Sequence, residues 1–178
     1  MRGKRIAIVV NGLSGGGAER VAALLANGLY SKGYDVLFIA AFSAEKEYPL
    51  SDGVHYVYID PKAEGKLRKY VNRTVKIYQT LKEYKPDAVI SFIIIEMLLS
   101  NFLKVAPIVY SLRIAPSSLV HKKKRWFSCL YSYKRAEKIV FQTEDAKNFF
   151  DDPIREKGVV IPNPLSENLP YWNKESHE

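Results

Sequence analysis

Short apolar runs alternate with stretches of helical periodicity from Arg5 to Ile161. Residues 5–10 form a nearly unbroken apolar run, followed at 11–17 by a glycine-rich loop. Over 18–32 the positions Val21, Leu24, Leu25, Gly28 and Leu29 recur at helical spacing, and Gly33 is placed to end that helix. Apolar runs at 34–42, 55–60, 88–92, 107–113, 138–143 and 159–161 read as further strands. Helices are predicted over 66–84, where Lys85-Pro86 stops the pattern, near 94–104, and over 122–135 and 144–150. Strands that are apolar throughout are covered on both faces, and the helices between them serve as crossovers. The predicted fold is therefore α/β: a Rossmann-like, open, mostly parallel sheet of about seven strands with helices on both faces. Residues 1–165 make one domain, and the polar stretch 166–178 reads as a linker or frayed tail.

In such a sheet ligands sit outside the carboxyl ends of the strands. That places candidate chemistry at 11–17, 61–65, 91–93, 111–118 and 143–144. In the first of these, Gly12, Gly15, Gly16 and Gly17 follow a strand and open a helix. Backbone without β-carbons lets amides approach an anion, and the helix dipole adds attraction. A phosphate or diphosphate suits Gly15, Gly16 and Gly17; the competing reading is a tight strand–helix turn with no ligand. Glu19 in the first helical turn either offsets the dipole or meets a sugar hydroxyl. Ala18-Glu19 stands where a P-loop needs Lys-Ser/Thr, which disfavours ATP hydrolysis. Arg20 replaces the third glycine of a dinucleotide fingerprint, and the second strand ends without a ribose-binding acid. A nicotinamide enzyme is disfavoured too, and no cofactor is predicted.

Composition narrows the rest. Cys129 is the lone cysteine, so no internal disulfide forms. The longest apolar stretch, 88–99, is broken by Ser91 and Glu96 and is too short for a bilayer. The basic amino terminus lacks the apolar segment of a secretory signal, and a cytoplasmic protein is predicted. His55, His121 and His177 are scattered, and no metal site is predicted. No Gly-x-Ser-x-Gly elbow is present for a hydrolase triad.

The stretch IAIVVNGLSGGGAERV at 6–21 resembles the opening of the retaining glycosyltransferases of family 4, which pair two Rossmann-like domains in the GT-B fold. AEKIVFQT at 136–143 and GVVIPNPL at 158–165 resemble the strands with which that family closes its first domain. The resemblance implies the acceptor-binding half of a transferase that moves sugar from a nucleotide-sugar to a glycan or lipid-linked acceptor, as in surface polysaccharide or glycolipid synthesis. It implies that Gly15–Gly17 face a diphosphate across the interdomain cleft, and that Thr143, Glu144 and Arg113 line the acceptor side. Amides of Gly16 and Gly17 would then stabilise charge on the leaving diphosphate or an acceptor phosphate. Many members carry a histidine after the fifth strand, where this chain has YSLRIAP at 110–116. Arg113 suits a phosphate or carboxylate of the acceptor, or else pairs with a neighbouring acid. The donor-binding half, with the paired glutamates for the nucleotide-sugar, is not within these residues. This chain alone is therefore expected to transfer no sugar.

Charge adds a partner class. Against 19 acidic residues stand 27 lysines and arginines, a formal charge of +8. One basic stripe is Lys66, Lys69, Arg73 and Lys76, beside the apolar stripe Leu67, Tyr70, Val71, Thr74, Tyr78 and Leu81. Another is Lys122, Lys123, Lys124 and Arg125 next to Trp126. Lysines beside aromatics suit an anionic membrane surface, placing the protein peripherally at the inner face; the plainer reading is a solvated helix face. No nucleic-acid-binding motif is found, so no specific nucleic acid is expected. The competing class is a non-catalytic anion-binding module, or one subunit of a split transferase.

Overall fold

The computed structural model describes residues 3–94, 97–120 and 123–164, and the side chains of 123–125 lie outside that description. The predicted tail at 166–178 also lies outside it. Seven strands form one sheet: β1 (Arg5–Val10), β2 (Asp35–Ala40), β3 (His55–Tyr58), β4 (Ala88–Ser91), β5 (Ile108–Ser111), β6 (Lys138–Phe141) and β7 (Gly158–Val160). Every neighbouring pair is parallel, in the order β3-β2-β1-β4-β5-β6-β7. The order reverses beside β1, so β2 and β4 flank the first strand. A crevice opens at such a switch point because the following connections leave to opposite faces.

Alternate residues of β1 feed the two sides. Ala7 and Val9 join a core with Leu37, Ile39, Ile77 and Leu81, whereas Ile8 and Val10 pack with Phe38, Ala22 and Ala26. Helix α1 (Gly17–Ser31) meets the sheet through Ala22, Ala23 and Ala26. Leu24 and Gly28, two positions of the predicted stripe, are exposed. The large Ile8, Val10 and Phe38 side chains leave room for alanine at closest approach, and Leu25 and Leu29 fill the flanks. Amides of Gly33 and Tyr34 close the helix on Tyr30 and Leu29 carbonyls at 2.9 and 3.2 Å, a Schellman pair.

Helix α2 (Lys66–Tyr84) has the predicted bounds but a different buried face, Thr74, Ile77 and Leu81. Leu67 is 75% exposed and Val71 47%. At 19 residues the helix is about 28 Å long, against roughly 13 Å for a four-residue strand. Its first turns overhang the carboxyl edge of the sheet. Lys85 adopts φ +52 at its end, because Pro86 disfavours a helical residue before it.

The predicted helix near 94–104 contracts to α3 (Leu98–Phe102), and that over 144–150 to α6 (Glu144–Asn148). Between them α5 (Lys123–Arg135) crosses the face below β5 and β6. Two single turns carry no periodic signal and were not anticipated: α4 (Ser117–Val120) and α7 (Asp152–Arg155).

Cys129 on α5 is fully buried, and burial pushes its thiol up to about 12. The buried Tyr110 and Tyr133 phenols are raised by the same cause. All three are accommodated only as neutral groups. Their contribution is complete below their unfolded values, 9.0 for the thiol and 10.0 for the phenols, and declines as pH rises above those. We expect the urea midpoint to fall from pH 9 upward, and the folded chain at pH 8 to resist a thiol-labelling disulfide reagent. Rapid stoichiometric labelling without denaturant would contradict this packing.

Candidate functional site

The loops after β1, β2, β4, β5 and β6 gather at one end of the sheet, as parallel connectivity requires. Phe42, after β2, and Phe92, after β4, donate backbone N–H groups to Asn11 O and Val9 O at 2.7 and 2.8 Å. The two residues therefore flank the end of β1, their backbones about 10 Å apart by two strand spacings. A cavity of about 300 Å³ lies there, lined by Asn11, Phe42, Phe92, Ser111, Arg113 and Leu119 among others. A second, of about 390 Å³, shares Arg113 and Ile114 and extends to Thr143 and Phe149. A third cavity, of about 470 Å³, opens instead at the amino ends of β5 and β6, beside Pro107 and Glu137.

Arg113 connects the two cavities at the carboxyl edge. Its Nε donates to Ser111 Oγ at 2.8 Å and Nη1 to Asn163 Oδ1 at 2.6 Å, with the guanidinium 5.7 Å from the Phe92 centroid. Among the described residues it joins no ion pair. Partial burial pushes its pKa below the ordinary value, because the cation has lost water without gaining an anion. No described carboxylate lies within ion-pair distance of Arg113, although Asp145 lines the same second cavity.

A second guanidinium stands at the far side of the first cavity. Arg73 reaches from α2 to donate Nε to Ala41 O at 2.7 Å, and lies 4.0 Å from the Phe42 centroid. Lys76, one turn on, donates to Asp60 O. Of the predicted basic stripe, Lys66 and Lys69 stay exposed on the overhanging turns, whereas Arg73 and Lys76 turn onto the sheet edge. Lys122 lies outside the described residues, as do the side chains of Lys123, Lys124 and Arg125. Trp126 is half-buried, stacked on Phe150 at 5.7 Å and edge-on to Phe149 at 6.1 Å.

The glycine loop carries acids. Gly15 adopts φ +80, and its N–H donates to Glu47 Oε2 at 2.8 Å. Ser14 Oγ donates to Glu45 Oε2 at 3.3 Å. Glu19 is 8% exposed and accepts from Asn11 Nδ2 at 3.2 Å. A β-carbon on Gly16 would come within 2.1 Å of Glu19 Oε2, so the bare backbone there admits the chain's own carboxylate. Gly17 faces open space. The 43–48 segment is pinned against this loop by Glu47 and Tyr48 amides on Leu13 O, each at 3.0 Å.

Thr143 caps α6, its Oγ1 accepting from Ala146 N at 3.1 Å, and lines the second cavity. Glu144 is exposed in the first turn of α6. Phe92 and Ser111 lie in the loops 91–93 and 111–118 expected from the sequence to carry chemistry, whereas Asn163, Phe42 and Arg20 had no such signal as site residues. Ser111 and Asn163 lie within the motifs quoted above, but the 50-residue separation from Arg113 to Asn163 leaves no local signal. Among the described residues no group of three His, Cys, Asp or Glu is placed to hold a metal, and no helix is long and apolar enough to cross a membrane.

The sequence model described as Glycosyltransferase Family 4 matches residues 15–168. No curated protein matches the chain in sequence. Among solved structures, Anabaena HepE in complex with UDP and glucose superposes with a TM-score of 0.67 at 16% identity, covering 90% of this chain and 44% of that one. MurG of Acinetobacter baumannii gives 0.64 at 17%, covering 93% and 46%. UDP-GlcNAc 2-epimerase of Methanocaldococcus jannaschii gives 0.63 at 14%, covering 89% and 45%. These likenesses establish the fold, and the chain spans under half the length of each structure.

Proposed function

This chain belongs to Glycosyltransferase Family 4, and on that premise we propose that it is the acceptor-binding half of a retaining glycosyltransferase. The family and the fold support glycosyl transfer. The observation that carries the acceptor reading is Arg113, a partly buried cation without a carboxylate partner, set in a cavity lined by Phe42, Phe92 and Leu119. Such a surface suits an acceptor with a phosphate or carboxylate next to an apolar portion, as in a lipid-linked glycan precursor.

The nucleotide-sugar is held by a second Rossmann-like half facing the same carboxyl edge. Closure of the two halves brings the acceptor hydroxyl to the anomeric carbon and excludes water. The hydroxyl oxygen bonds to that carbon, the bond to the nucleotide diphosphate breaks, and the hydroxyl proton leaves with the diphosphate. Gly17, at the start of α1, has open space where a β-carbon would stand, which leaves room for a diphosphate from the facing half to approach the helix N-terminus. The Gly15 amide is already engaged by Glu47, and the acids around the loop oppose a phosphate lodged within it. Arg113 is the better anion contact, Thr143 shapes the neighbouring wall, and Glu144 and Glu19 offset helix dipoles.

The test is a titration of the 178-residue chain with hexyl phosphate, as an amphiphilic acceptor mimic, and with UDP-glucose. Hexyl phosphate should bind and UDP-glucose should bind no tighter than inorganic phosphate, with no sugar transferred. Micromolar UDP-glucose binding would assign the donor half instead.

The same reading places the enzyme peripherally at the cytoplasmic face of a membrane. The overhanging start of α2 supports this, since it exposes Leu67 and Val71 beside Lys66 and Lys69. With each nearby lysine adding about 1 kcal/mol at an anionic surface, replacing Lys66 and Lys69 by alanine should weaken binding to phosphatidylglycerol vesicles roughly thirtyfold. Equal retention on DNA at matched salt, or no loss in the variant, would argue for a nonspecific anion-binding module.

A further inference from the structure

The segment leaving β7 crosses back over the cleft and is held at three points. Ile161 N donates to Phe141 O at 2.9 Å, the last rung of the ladder. Asn163 Oδ1 then accepts from Arg113 Nη1 at 2.6 Å, and Pro164 O accepts from Arg20 Nη2 at 3.1 Å. Pro162 and Pro164 flank Asn163, so the stretch contributes no ladder amide on either side, and Asn163 is confined to extended backbone by the proline after it. Arg113 is thereby gripped from two directions: Ser111 fixes Nε from below and Asn163 fixes Nη1 from the strap. Among the described residues its Nη2 has no acceptor.

We infer that Asn163 is a positioning residue for Arg113, making the exit segment 161–164 one wall of the anion site. This rests on the reading of Arg113 as the acceptor's anion contact. A flexible arginine must lose side-chain freedom to bind an anion, and neutral acceptors on Nε and Nη1 remove that freedom in advance while leaving the charge intact. An amide oxygen is suited to this role. A carboxylate in its place would hold the same geometry but neutralise the cation. Because the strap is also tied to Arg20 at the first helix, displacement of the exit segment would release the guanidinium.

Substitution distinguishes the positioning role from a structural one. Asn163→Ala should lower hexyl phosphate affinity about fivefold by freeing the guanidinium, and Asn163→Asp about thirtyfold by pairing with it. Binding of the neutral probe hexyl glucoside should stay within twofold in both variants, and the thermal midpoint should be unchanged or, for Asn163→Asp, raised. Arg113→Gln serves as the reference. If Arg113→Gln binds hexyl phosphate like the native chain, the underlying acceptor reading fails. If Arg113→Gln loses binding while Asn163→Asp keeps it, or if neutral and anionic probes weaken together, the positioning role alone is overturned.

Discussion

Replacing Arg113 by glutamine is expected to weaken hexyl phosphate binding roughly thirtyfold, the equivalent of about 2 kcal/mol for a lost charge-assisted hydrogen bond. The side chain of glutamine retains donors and much of the volume, so the loss isolates the charge. Lysine should restore part of the affinity, since it returns the cation without the planar fork that meets two oxygens at once. Stability should change little, because the guanidinium joins no ion pair among the described residues and its partial burial already opposes the charge. Isothermal titration of native, Arg113→Gln and Arg113→Lys chains provides the measurement. Native-like affinity in Arg113→Gln would move the anion site elsewhere, with Arg73 over Phe42 the next place to look.

The second large effect is on stability. Gly16→Ala should cost about 1 kcal/mol, because the new methyl would lie 2.1 Å from Glu19 Oε2, and that flexible carboxylate end would swing aside and give up its hydrogen bond from Asn11. Conformation contributes nothing to this cost: Gly16 has φ −130 and ψ 160, extended backbone open to any residue. The clash should therefore vanish with its partner. In a Glu19→Ala background the same substitution is expected to cost less than about 0.5 kcal/mol, a coupling that urea denaturation of the four chains would measure. Additive losses would mean that Gly16 serves the backbone itself. A stable Gly16→Ala chain with impaired ligand binding would return the glycine to the phosphate-approach role suggested by its sequence.

Gly16 also shows where sequence reasoning reaches its limit. Three glycines between a strand and a helix signal close approach by something, and the structure identifies one such neighbour as Glu19, three residues on. Only side-chain packing distinguishes an internal carboxylate from an external phosphate. The acids Glu45 and Glu47 were equally unreadable, because they reach Ser14 and Gly15 across about thirty residues. On α2 the periodicity located the helix but not its buried face. A helix longer than the strands it covers leaves its first turns unsupported, so Leu67 and Val71 extend an apolar pattern into solvent. The alanine face of α1 follows from the bulk of Ile8, Val10 and Phe38 opposite, information that lies in another element.

The sequence by itself determined the architecture: apolar runs covered on both faces require parallel strands with helical crossovers, and this local pattern is enough to place loops 11–17, 111–118 and 143–144 at one edge. The family was legible too, since its motifs are contiguous. What only the tertiary structure decided is which charges face the cleft. Strand order carries Arg113 beside Asn163, Arg73 onto Phe42 and Glu47 onto Gly15. Whether an ionisable side chain meets an anion, a carbonyl or water depends on neighbours distant in the chain, and a charge's chemistry is set by those neighbours rather than by its own position in the sequence.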